Sequence, residues 1–421
     1  MLKKISIFAG TILLLLCSVS QIPAQSYDAT SMGMGGAYGA VSRGVNAIAW
    51  NPANLALPRS SWFELNFIGV NLNVANSSLT IDNYEKYLTQ AGHGGEWDDK
   101  EIDELIALVP DDGFSLNGEL NANALGLAIG PFGVSVQFLG NAQGIIPKGP
   151  FELMLKGNTK SYYDFGGTDA DGYSTVKVSL AASHKIPVKK YFDVFALGLN
   201  LNYFRAIGYG EISEARGSFI TGLEYIHSDI LLTGRTAESG NGFGLDFGAA
   251  GVINKKLTVS MSFQNLLGSI NWNSGTERFY NYFMIDSAQY KEDLTIDPVD
   301  TNFTEKIGEF STRLPVVFHL GLAYELKPNL TLALDVEQAF KKAMGYSDQA
   351  KLSVGAEFRP TPIVPLRAGF TIGGKWDFAL GLGIGFHMKA VQFDFGYSMH
   401  RAAWFSLSKG FSTAFNIRIA I

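Results

Sequence analysis

The stretch Leu380-Gly381-Leu382-Gly383-Ile384-Gly385-Phe386-His387-Met388 alternates a large apolar residue with a glycine or a histidine at every step. Successive side chains of a strand point to opposite faces, so this segment reads as a strand with one greasy face and one small or polar face. The next segment repeats the pattern, with Val391, Phe393, Phe395, Tyr397 and Met399 set against Gln392, Asp394, Gly396 and Ser398. The C-terminus does so again, with Phe415, Ile417, Ile419 and Ile421 against Asn416 and Arg418. Upstream, Leu257, Val259, Met261 and Phe263 alternate with Thr258, Ser260, Ser262 and Gln264, and Leu330, Leu332, Leu334 and Val336 alternate with Thr331, Asp335 and Glu337. A soluble β-sandwich shows the same alternation with its greasy faces turned inward, so the pattern alone does not choose between sandwich and barrel.

The connections help to choose. About 14 strands are expected, starting near residues 61, 118, 133, 174, 191, 242, 257, 312, 329, 350, 366, 376, 390 and 412. Short linkers at 130–133, 254–256, 327–329 and 389 alternate with long ones near 76–117, 143–173, 206–241 and 271–311. The alternation weakens around 359–365 and 373–375. Short turns at one rim and long loops at the other are the arrangement of an outer-membrane barrel, and an even strand count returns both termini to one rim.

The first residues set the compartment. Lys3 and Lys4 precede an apolar run from Ile5 to Val19, followed by small and polar residues, which is the layout of a signal peptide cleaved after Ser20 or Ala24. Leu16 stands before Cys17 where a lipobox requires a small residue. Cys17 is the only cysteine, so the mature chain has neither a disulfide framework nor a thiolate metal site. After Val19 no stretch is apolar for long enough to span as a helix, which leaves a closed barrel as the spanning structure. Forty-seven glycines, 13% aromatic residues and only 17% charged residues suit closely spaced, lipid-facing strands. A net charge of −6 without a basic cluster argues against nucleic acid as a partner.

Several motifs stop short of a catalytic or cofactor site. In the glycine cluster from Gly33 to Gly39, Tyr38 stands where G-x-G-x-x-G needs its third glycine. Gly369-Phe370-Thr371-Ile372-Gly373-Gly374-Lys375 has Walker A spacing, but Trp376 replaces the magnesium-holding hydroxyl and no helix follows, so it reads as a hairpin turn. Six scattered histidines lack metal-ligand spacing, and of these only His387 is placed on a lumen phase. No Ser, His and Asp set stands out as a triad. The chain is therefore read as a non-enzyme without cofactor or metal. The acidic stretch 96–112, with apolar Ile102, Leu105, Ile106 and Val109, reads as a short amphipathic helix with a solvated acidic face in the first long loop.

The segment before the first strand carries Gly33-Met34-Gly35-Gly36-Ala37-Tyr38, then Trp50-Asn51-Pro52-Ala53-Asn54-Leu55. Together with Gln264-Asn265-Leu266-Leu267-Gly268, Leu314-Pro315 and Gly355-Ala356-Glu357-Phe358-Arg359-Pro360, it resembles the long-chain fatty-acid transporters of the FadL type, nearest to an uncharacterised FadL-like family. The resemblance implies a 14-stranded up-and-down barrel in the outer membrane, plugged by an N-terminal hatch and passing hydrophobic or amphipathic small molecules such as fatty acids. On that basis Gly33, Gly35, Gly36, Trp50, Asn51, Pro52 and Ala53 belong to the hatch, and the chain divides into a signal peptide (1–24), a hatch (25–60) and a barrel (61–421). The hatch is the expected gate, and the long loops are the expected capture surface. A related branch, the PorV-type barrels, serves secretion, so a scaffold or docking barrel with secretion or surface partners is the alternative. The fatty-acid pocket residues have no readable counterpart here. Ile421 also departs from the usual final aromatic. Asp246, Asp335, Glu337, Glu357, Arg367, His387, Asp394 and Arg418 are the lumen candidates, either as a conduction path or hatch contacts, or as charge pairs that fill a polar interior.

Overall fold

The computed structural model describes residues 28–89, 97–188, 190–222, 225–289 and 298–421. The expected signal peptide, with both cleavage positions, lies outside them. Nineteen strands occur among the described residues: β1 (Phe63–Asn76), β2 (Phe114–Ile129), β3 (Phe132–Ile146), β4 (Tyr162–Asp164), β5 (Asp169–Ile186), β6 (Val194–Thr221), β7 (Tyr225–Ala237), β8 (Ser239–Ile253), β9 (Leu257–Ser274), β10 (Glu277–Gln289), β11 (Val299–Lys306), β12 (Phe310–Arg313), β13 (Val317–Lys327), β14 (Leu330–Ala339), β15 (Lys351–Thr361), β16 (Val364–Gly373), β17 (Phe378–Met388), β18 (Val391–His400) and β19 (Gly410–Ala420).

Fourteen of them, namely β1, β2, β3, β5, β6, β8, β9 and β13 to β19, form an antiparallel wall that closes where β1 pairs with β19, for example Val70 opposite Phe415. Closure leaves no unpaired edge in the wall. The side chains decide between barrel and sandwich. The greasy phase faces outward, with Leu382, Ile384 and Phe386 of β17 about half exposed, while Asn71, Asn73, Ser260 and Asp335 of the polar phase are buried. That inside-out arrangement suits a lipid surround and a polar lumen. Aromatic residues ring both ends, with exposed Trp62, Phe132 and Tyr191 at the short-turn rim and exposed Phe340, Trp404 and Phe405 at the other.

Each expected strand start lies near an observed one, the widest gaps being 174 against Asp169 and 312 against Val317. The second gap has a cause, because position 312 falls on β12, and Leu314-Pro315 then interrupts the run before β13. The order of rims holds through the C-terminal region. Thr361 pairs with Val364 across a tight turn at the short-turn rim, and the opposite-rim connection from β16 to β17 is itself brief.

The long connections hold structure that alternation did not foretell. β6 runs 28 residues and rises beyond the wall, where it pairs with β7, which pairs with β10, which pairs with β11. Tyr163, Phe165, Phe219, Ile230 and Phe283 form a core within this extension. Helix α1 (Ala29–Gly33) and helix α2 (Ala47–Trp50) precede the wall, and α3 (Ile81–Leu88) and α4 (Asp99–Leu108) occupy the first long connection. Helix α4 is the expected amphipathic helix: Asp98 and Glu101 form a capping box, and Leu105 and Ile106 are buried. Helix α5 (Lys148–Lys156) packs beside it, with Lys156 ion-paired to Asp103.

Candidate functional site

Residues 28 to 57 run through the lumen and are almost wholly buried. Asp28 caps α1 by accepting the N–H groups of Thr30 and Ser31 at 2.8 and 2.9 Å. Burial raises its carboxyl to about 6, against the opposing pull of the Ser31 N–H and of Arg418. The chain reverses after α1 through Gly35 and Gly36, both left-handed, and Gly36 N–H donates to the Ser31 carbonyl at 2.8 Å. Here the hatch lies backbone against backbone on the wall. A Cβ on Gly369 would stand 2.2 Å from the Met34 carbonyl oxygen, and one on Gly381 would stand 2.1 Å from that of Met32. The Gly33 Cα meets Gly383 in the same way, so glycine in the polar phase of β15 to β18 is a bed for the hatch.

The second hatch element is fixed by its asparagine. Asn51 Oδ1 accepts Ala53 N–H at 2.9 Å, while Nδ2 donates to Ser260 Oγ at 2.7 Å and to the carbonyls of Met261 and Ala249 at 3.0 and 3.1 Å. Pro52 begins the short 3₁₀ turn Pro52–Ala56, where its missing N–H costs nothing. Pro52 and Ala53 press on Gly198 of β6, and Gly248 of β8 makes room for the Asn51 carboxamide. Trp50 packs edge-on to Tyr38 and His319, with ring centroids 5.6 and 5.9 Å apart.

The lumen candidates fall into three groups. Arg367 lies between Glu357, at 2.7 Å, and Asp394, at 2.6 Å, and His387 Nε2 lies 3.0 Å from Asp394. Arg418 joins this group less closely, 3.9 Å from Asp394, and donates to Gln392. Asp335 accepts the Gly39 N–H of the hatch at 2.9 Å, and Glu337 on the same strand pairs with Lys351. Asp246 sits apart, accepting from Asn202 at 2.8 Å and from the Asn265 N–H at 2.9 Å. His387 is not alone in facing inward. His319 lies within 3.7 Å of Glu337, and His400 bonds Ser412 at 2.5 Å, both deeply buried. The expectation that His387 alone faces inward therefore failed, although His400 continues the polar phase of Gln392, Asp394, Gly396 and Ser398.

Two features were not read from sequence. One is a set of amides, Asn66, Asn71, Asn121, Asn123 and Gln137, turned inward from β1, β2 and β3 beside Asn416 of β19, which the alternation had placed on the polar phase. Most of them surround a small cavity that meets the hatch at Val45, Asn46 and Ala49. Alternate asparagines in Asn71-x-Asn73 and Asn121-x-Asn123 were the available signal. Towards the long-loop rim lies a polar cavity of about 390 Å³ bordered by Asn117, Gln143, Asp171, Tyr346, Lys375 and Arg401, among others. The second feature is a break in the wall. Between Gln264, which pairs with Val317, and Ser269, which pairs with Arg313, the ladder is held by Gly268 carbonyl to Leu314 N–H at 2.9 Å and Asn265 Nδ2 to Pro315 carbonyl at 3.2 Å. Asn265 and Leu267 are left-handed there, and the Leu267 side chain is 90% exposed. Immediately inside is an apolar cluster of Phe204, Ile270, Trp272, Leu314 and Met344, with the Tyr209 ring tilted against Trp272 at a centroid distance of 4.9 Å.

The fold is shared with solved outer-membrane barrels. The toluene transporter TbuX of Ralstonia pickettii aligns with a TM-score of 0.54 at 13% identity, over 94% of this chain and 99% of its own. The P. putida toluene transporter TodX gives 0.52 at 10%, over 94% and 99%. A Pseudomonas aeruginosa FadL homologue gives 0.51 at 14%, over 95% and 100%. Among curated proteins none matches the chain in sequence. The model of a family of unknown function, DUF5723, matches residues 52–230 and 221–397. The chain thus belongs to the DUF5723 family, and it is an outer-membrane β-barrel of FadL-type fold with an N-terminal hatch.

Proposed function

We propose that this barrel passes a hydrophobic or amphipathic small molecule across the outer membrane by gated diffusion, with the hatch as gate and the long connections as the capture surface. The observation that carries the reading is the wall break at 265–268 backed by the apolar cluster around Trp272. Around the hatch the wall presents amides, ion pairs and glycines, with smaller apolar contacts at residues such as Ala128 and Ala181. An apolar patch inside a polar interior, beside a point where the ladder is thin, gives a greasy molecule somewhere to rest. The solved structures with this fold include toluene transporters, which supports a hydrophobic cargo, and the docking-scaffold alternative draws no support from them. The non-enzyme reading belongs to the same proposal.

The test is native mass spectrometry with lipid extraction on protein purified in mild detergent from outer membranes. An apolar or amphipathic molecule should co-purify, and Trp272→Ala should lower its retention. Ligand-free protein that brings down partner proteins instead would overturn the reading in favour of docking.

A further inference from the structure

The hatch touches the wall on two contrasting sides, and we infer that it parts from the wall along β1 to β3, so that a molecule crossing the barrel leaves past Val45 and Asn46. This rests on the transport reading for its use, although the parting itself is a property of the fold.

On the other sides, separation would break dry contacts. The hatch backbone from Ala29 to Gly35 lies on the glycines of β15 to β18, Thr371 donates to the Gly35 carbonyl, and Asp335 holds Gly39. Moving it would also bare the buried ion pairs of Arg367. At β6, β8 and β9 the Asn51 carboxamide makes three bonds to the wall. A buried donor or acceptor pulled from its partner without replacement carries a desolvation cost.

Along β1 to β3 the contact is of another kind. The small cavity there separates the hatch from Asn71, Asn121, Asn123 and Gln137. Asn66 Nδ2 and Asn123 Oδ1 have no protein partner, so water entering the seam satisfies groups that the closed state leaves unmet. Asn46 of the hatch bonds Tyr38 within the hatch itself, at 3.0 Å. Glu64 receiving the Val45 N–H at 3.1 Å is a direct hydrogen bond across this side. Below the cavity the seal is made by side chains. Val45 lies on Gly126 and Ile48 on Gly133, within a small apolar cluster with Leu55, Ala128 and Ala181. Side chains can change rotamer to open a gap where a backbone-to-backbone contact has to move as a unit. The lumen phase of β2 continues upward from Asn121 to Glu119, which borders a further cavity with Lys375 and Tyr346 next to the mouth.

The experiment compares single introduced cysteines in the full-length protein carrying Cys17→Ser, reconstituted in liposomes. One replaces Asn123 at the seam, the other Thr371 on the glycine bed, and both are reacted with a small hydrophilic thiol reagent. The seam cysteine should react at least about tenfold faster, as expected where local opening takes less free energy. Equal rates, or a faster bed cysteine, would overturn the inference. Gln137→Cys serves as a second seam reporter should Asn123→Cys fail to assemble. If the rates differ as stated while no cargo is found by mass spectrometry, the seam stands and the transport reading falls.

Discussion

Against β15 to β18 the hatch rests on glycine with its backbone in contact, whereas against β1 to β3 it faces a cavity walled by amides. The same short segment is therefore held by the absence of side chains on one side and faced by a cavity lined with amide side chains on the other. Close backbone approach gives many dispersion contacts and no room for water, whereas amides around a cavity can bond to entering water as readily as to protein. The comparison teaches that the wall's composition, more than the hatch's own sequence, determines which hatch contacts are firm.

Substitutions can break this contrast, and the largest effect is expected at Arg367. Arg367→Met leaves Glu357 and Asp394 as buried carboxylates without their shared cation, a loss of about 3–5 kcal/mol. Thermal unfolding in detergent should show it as a lowered transition. Next comes Gly369→Ala, whose methyl would overlap the Met34 carbonyl, at about 1–3 kcal/mol. Its effect should concentrate on the hatch, so limited trypsin digestion at Arg43 should quicken before the barrel itself unfolds. Asn51→Ala removes a cap and three wall bonds at once, and at least the cap's share of about 0.5–2 kcal/mol should appear in the same digestion assay. The smallest effect belongs to the seam. Asn123→Ala deletes an amide whose oxygen has no protein partner, and stability should stay within about 0.5 kcal/mol of the parent. A large loss there would erase the contrast between the two sides.

Much of the fold was legible because a barrel in lipid imposes a period of two on every spanning strand. Leu380 to Met388 carries that period without a break, and the wall strand is there. The interior was legible where charge marked it, so Arg367, Asp394 and Glu357 could be named in advance, although their grouping required the barrel to set β15 beside β16 and β18 one strand further on, across β17. Uncharged amides gave a weaker signal, since asparagine is as common in turns as in a lumen, and Asn71 and Asn121 passed unremarked. The extension built from β7, β10 and β11 was read as loop, because strands that pair with each other above the membrane need no uniform greasy face. The residues of the wall break, Leu314-Pro315 and Gln264 to Gly268, stood out only as family motifs, and pairing alone shows that the two lie opposite each other and interrupt the ladder. Gly381 was noted for its phase and Gly369 as part of a Walker-like spacing. Their purpose became clear only when the Met32 and Met34 carbonyls were found lying on them.

The most direct test of the account is a reversible lock on the seam. Asn46→Cys combined with Asn123→Cys places a thiol on each side of the cavity that both residues line. Uptake of a fluorescent hydrophobic probe into liposomes is then measured with the disulfide oxidised and again after reduction, its formation being checked by mass. The account predicts uptake that is suppressed in the oxidised protein and restored on reduction. Equal uptake in both states, with the crosslink verified, would contradict it.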